Sequence, residues 1–139
     1  MKKILILTLL LALSPLSFAA SKVVFPVNNQ EVKAYPGKAE IQLGGKNGMH
    51  FNVAYAVTCH IINPSKEIIN VQTSLDPYPV IYNPATLNGK QTGTMLHLAP
   101  GTNTFVQPNL SIYSDAKLIF ANYDNDISVF VKDCSATLE

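Results

Sequence analysis

The chain has no arginine and no tryptophan, and only two cysteines in 139 residues. Its ten basic residues are all lysines, and they form no cluster. It therefore lacks the concentrated positive face that nucleic-acid binding requires. The same dispersal argues against an electrostatic dock on an anionic membrane, which needs a polybasic segment. Without tryptophan, the residue that packs on the bridging disulfide of an immunoglobulin domain is missing. No GxSxG elbow and no CxxC pair occurs, and outside the N-terminus no ten-residue stretch has helical periodicity. Long apolar runs are missing too. Residues 4–13, interrupted at Thr8, form about half of the ~20 residues that a membrane-spanning helix needs. No repeat, linker or low-complexity tract appears.

What is present begins with an export leader. Lys2 and Lys3 precede the apolar run; Ser14, Pro15 and Ser17 break it; Ser17 and Ala19 put small residues at −3 and −1 of a cleavage site. Residues 1–19 are predicted to be a cleaved signal peptide and residues 20–139 a single domain. No cysteine lies at the cleavage point, so no lipid anchor is expected, nor any membrane insertion of the mature chain. Removing the leader leaves eight lysines against nine acidic residues, a net charge near −1. The lysine-only basic content and the short leader suggest a bacterial chain, and the predicted location is periplasmic or extracellular. In an exported chain an even pair of cysteines, here Cys59 and Cys134, reads as a disulfide. Closing so long a loop is worth about 4.5 kcal/mol in the chain-entropy model.

The mature chain alternates with period two, the mark of half-buried strands. Ala39, Ile41 and Leu43 share one face, as do Ile69, Val71, Thr73 and Leu75. Phe51, Val53, Tyr55, Val57, Cys59 and Ile61 predict one long strand, and Ile127, Val129 and Val131 another. Weaker candidates are 22–25, 31–35, 80–82, 94–98, 104–107, 110–113 and 117–121. Asn47-Gly48 and Asn88-Gly89 suit φ > 0 and predict tight turns. Pro36-Gly37, Asn63-Pro64-Ser65, Pro100-Gly101 and residues 124–126 mark further reversals. The pattern predicts an all-β antiparallel β-sandwich, immunoglobulin-like in general architecture, with about 8–10 short strands. Cys134 has the wrong parity to share a face with Val131. It is expected either to follow a bulge near Asp133 or, needing no special geometry, to lie just past the regular strand. Fimbrial subunits are similar in size, leader and disulfide, but their early cysteine pair and their tyrosine close to the C-terminus are absent, so the similarity names no family.

Chemistry-bearing residues are sparse. Met49, His50, Met95 and His97 combine thioether and imidazole, a ligand set suited to copper in an oxidising compartment. Met95 and His97, two apart on a strand, project to one face, whereas Met49 and His50 point apart if extended; as ordinary strand residues and gap-fillers they need no metal. His60 adds a donor only if Cys59 is reduced. Asp124-Asn125-Asp126 offers half a calcium shell, and an Asx-rich turn explains it equally. The acids needed for hydrolysis sit mostly at turns and strand edges, where a solvated carboxylate is the default. Residues 76–84 (DPYPVIYNP) place Tyr78 and Tyr82 on a rigid segment that suits either recognition or packing over the core. Asn109-Leu110-Ser111 is a sequon that matters only in a eukaryotic secretory pathway. The resulting expectation is an exported, non-catalytic interaction module with no cofactor, whose partner is a protein or a cell-envelope or host-surface molecule. A small periplasmic copper-binding protein is the alternative, and a secreted hydrolase ranks third.

Overall fold

A computed structural model describes residues 22–77 and 83–139. The predicted leader, Tyr78 and Tyr82 lie outside the described residues. Period two governs what is seen. In β4 (Tyr55–Asn63) Tyr55, Val57, Cys59, Ile61 and Asn63 are buried, and in β5 (Ile69–Asp76) Ile69, Val71, Thr73 and Leu75 are. The residues between them face outward, because successive side chains of a strand leave opposite sides. No helix occurs among the described residues, and none is long and apolar enough to cross a membrane.

Among the described residues, eleven strands form two antiparallel sheets packed face to face. The larger runs β1 (Lys22–Val24), β11 (Val129–Leu138), β4, β9 (Gly101–Leu110), β6 (Thr86–Leu87) and β7 (Lys90–Gln91), with β2 (Gln30–Val32) also pairing with β11. The smaller runs β3 (Lys38–Gln42), β10 (Lys117–Asn122), β5 and β8 (Met95–Leu98). The inner faces interdigitate: Phe105 of β9 meets Phe120 of β10 edge-on, with ring centroids 5.4 Å apart and planes at 88°. Such a pair adds about 0.5–1.5 kcal/mol beyond its area burial. The Asn88-Gly89 turn joins β6 to β7 with both residues left-handed, φ 53° and 81°, the twist a two-residue hairpin needs.

Cys59 and Cys134 are bonded, with Cα atoms 4.2 Å apart. They join neighbouring strands of one sheet rather than bridging the two sheets. The preferred expectation for Cys134 was wrong in its geometry. β11 continues through Cys134, and the register slips between Lys132 and Ser135 around Asp133, whose φ is +52°. Lys132 opposes His60, but Ser135, not Cys134, opposes Thr58. The extra residue of this bulge resets the alternation so that Cys134 faces inward beside Cys59. Other details also differ, among them β2, which ends at Val32, and β11, which runs on from Val129 to Leu138. β4 starts at Tyr55, because Asn52 turns left-handed (φ 60°) and leaves Phe51 exposed. The predicted segment 104–107 belongs to a longer strand, β9, which runs through Pro108 to Leu110, whereas residues 111–113 of the predicted segment 110–113 lie past its end; Pro108-Asn109 sits at a register irregularity opposite Tyr55–Val57 and so loses no ladder bond. In the loop carrying Asn47-Gly48, the left-handed residue is Gly45, φ 102°.

Candidate functional site

The site is built at the end of the smaller sheet where the loops β2–β3, β4–β5 and β10–β11 meet. Tyr35 and Tyr123 come from two of those loops. Their rings stand 5.9 Å apart, tilted by 36°, and both remain about half exposed. Backbone bonds hold them. Tyr35 N–H donates to Asp124 O (2.6 Å), Tyr123 N–H to Asn70 O (3.1 Å) and Asn122 N–H to Gly37 O (2.9 Å). Gly37 has to be glycine, since a Cβ there would overlap the Lys33 carbonyl. Tyr123 thus continues the β10–β5 pairing one step past the strand, opposite Asn70.

Polar planar side chains surround the rings on the same outward face. Tyr123 Oη–H donates to Gln72 Oε1 at 2.9 Å. Asn70 Oδ1 lies 2.6 Å from His97 Nδ1. An amide oxygen only accepts, so the imidazole carries a proton on Nδ1, and in the neutral ring Nε2 is left as an acceptor. Asn70 Nδ2 and Gln72 Nε2 remain as donors by the same count. Ala121, opposite Gln72, keeps the face low between the strands, and Met95 stands opposite Gln72 on the other side. Ile68, two residues before Asn70, is exposed at the rim. Lys38 stands opposite Ala121 on the same outward face. The Asp124 carboxylate is turned onto the N–H groups of Asp126 (2.8 Å) and Ile127 (2.9 Å), which makes residues 124–126 an Asx turn. Lys38 is engaged by Glu40 at 3.2 Å.

Buried asparagines brace this end. Asn122 Nδ2–H donates to Val32 O (3.2 Å) and Ile127 O (2.8 Å), while its Oδ1 accepts from Asp124 N–H (2.9 Å). Asn63 and Asn103 tie the adjoining loops to Leu98 O and Ala99 O in the same way. A buried amide is retained only when its hydrogen bonds are made, so these contacts fix the loops as well as the residues.

The other sequence-derived candidates fall elsewhere. Met49 follows β3, where Met49 N–H donates to Leu43 O at 2.7 Å, and its side chain is buried in the core. Met95 and His97 lie on β8, at the opposite edge of the four-stranded sheet. Three inter-strand steps of about 4.8 Å separate those edges, roughly 14 Å. The structure therefore does not bring the two halves of the copper set together, and among the described residues no group of three or more His, Cys, Asp or Glu side chains converges. His50 shares a shallow hollow of about 250 Å³ with Phe51 and Asp115, without an ion pair to that acid. His60 projects outward from the larger sheet between Lys132 and Thr104, with Nδ1 buried and unpartnered among the described residues. An apolar cavity of about 160 Å³ opens between the sheets against Leu75, Ala85, Phe105 and Leu118, and among the described residues no titratable group lines it.

Sequence reasoning missed Tyr35, Tyr123, Asn70 and Gln72. The signal available was an aromatic residue at each of two turns, Tyr35-Pro36-Gly37 and Tyr123-Asp124-Asn125; their convergence follows only from strand order. No family model, curated protein or solved structure matches the chain, so the site is read from its own geometry.

Proposed function

We propose that this chain is an exported, non-catalytic binding module of a bacterial cell, acting in the periplasm or outside it. Its partner is a component of the cell envelope or of a host surface. The observation that carries the reading is the half-exposed Tyr35–Tyr123 pair, held by backbone bonds and ringed by Asn70, Gln72 and His97. Tyrosine offers contact area at low entropy cost, and fixing the rings before contact lowers the ordering cost of binding. The Cys59–Cys134 bond fits the oxidising compartment to which the leader directs the chain. Two carboxylates of this region are engaged locally, Asp124 Oδ1 by its own turn and Glu40 by Lys38 and Lys117, which favours recognition over catalysis there.

The test is retention of the purified, disulfide-bonded protein on envelope fractions and on intact host cells. The wild type should bind at least one of these surfaces, and a Tyr35→Ala/Tyr123→Ala variant with an unchanged thermal transition should not. Equal binding by the variant, or no binding by the wild type, removes the reading.

A further inference from the structure

We infer that the Tyr35–Tyr123 surface is a saccharide subsite that takes an uncharged pyranose of a glycan, a deduction that rests on the recognition reading above. Three features select that chemistry. The first is the ring pair. At 5.9 Å and a 36° tilt the two rings form a wedge rather than a face-to-face stack, and each stays about half exposed. The electron-rich face of an aromatic ring attracts the weakly positive C–H groups on the apolar side of a sugar.

The second feature is the polar fringe. A sugar hydroxyl both donates and accepts. His97 Nε2 accepts, while Asn70 Nδ2 and Gln72 Nε2 donate, from side chains whose remaining atoms are already tied at 2.6 Å and 2.9 Å. A row of hydroxyls satisfies this mixed set without leaving a member unpaired. An apolar protein surface would bury these groups unsatisfied, which opposes binding.

The third feature is charge. Lys38 faces Glu40, Lys117 faces the same carboxylate at 3.4 Å, and Asp124 is bound to its own turn. The two lysines on the outward face of β3 and β10 thus share one carboxylate, which favours an uncharged sugar over an acidic one.

The experiment is affinity electrophoresis of the disulfide-bonded protein through gels containing neutral polysaccharides (glucan, mannan, galactan) or soluble chitin oligomers, beside a sulfated control. Retardation by at least one neutral glycan is expected, with none on the sulfated control beyond that of a reference protein. Tyr123→Ala should weaken it at least tenfold. His97→Ala and Gln72→Ala should weaken it several-fold, and Phe51→Ala at the far end should leave it unchanged. Binding to intact surfaces should be lost after periodate oxidation of vicinal diols and survive protease treatment. No retardation by any neutral glycan, with protease-sensitive surface binding that still requires Tyr123, overturns the saccharide assignment and leaves the recognition reading standing. Absence of surface binding altogether overturns both. Retardation indifferent to Tyr123→Ala overturns the placement of the subsite.

Discussion

The two ends of the sandwich are built by different means. At the end bearing Tyr35 and Tyr123, three fully buried asparagines (Asn63, Asn103 and Asn122) reach across loops to backbone carbonyls. At the opposite end the long β3–β4 connection turns on Gly44-Gly45 and left-handed Asn52 and presents Phe51 to solvent, while the β9–β10 connection beside it exposes Tyr113. Both ends expose two aromatic rings. The rings differ in what stands behind them: a cross-braced loop set in one case, and in the other a connection anchored mainly by Leu43, Met49 and Ile112 in the core. An exposed ring is a better candidate for recognition when its backbone is already paid for in hydrogen bonds, because binding then has less disorder to remove.

The largest effect should come from removing what both ends share. Replacing Cys59 and Cys134 together by alanine is expected to lower stability by about 4 kcal/mol, read as a shift of the urea midpoint at constant slope. Hydrogen exchange should then rise at both ends alike. A loss under about 1 kcal/mol would show that the bulged β4–β11 ladder holds without the bond.

Asn122→Ala should divide the two ends. It strands the Val32 and Ile127 carbonyls and the Asp124 amide, at an expected cost of about 2–3 kcal/mol. Exchange should accelerate at residues 123–128 while residues 44–52 keep their wild-type rates. Uniform acceleration would mean that the asparagine supports the whole core rather than its own end. At the far end, Phe51→Ser should change stability by no more than about 0.5 kcal/mol, since the ring is largely exposed. A larger loss would place Phe51 in the structural core of that end and blur the contrast.

The smallest effect concerns Glu40, midway along the β3 edge. Hydrogen bonds from Lys38 and then from Lys117 hold its carboxyl below the ordinary value of 4.5. A group lowered in the folded state contributes stability above its ordinary value and loses it as pH falls through the lowered one. Glu40→Gln should therefore leave the acid limb of the melting curve slightly shallower below about pH 4.5, with a difference that shrinks in high salt because the group is exposed.

Much of this architecture was legible along the chain. Period two in Ile69-Val71-Thr73-Leu75 and in Tyr55-Val57-Cys59-Ile61 named the strands and their buried faces, because alternation is a property of each strand alone. With two cysteines available, only one intramolecular pairing was possible, and it is the one that forms. What period two does not carry is which strands become neighbours. That choice rests on long-range pairing and on how two twisted sheets pack, and it decided everything at the site. Strand order put Met49 and Met95 at opposite edges of one sheet, and it brought Tyr35, Asn70, His97 and Tyr123 from four separate segments onto one face. The bulge at Asp133 belongs to the same class of facts. A single residue leaves the ladder so that Cys134 can turn inward, and that slip depends on the partner strand β4 rather than on the residues of β11 by themselves.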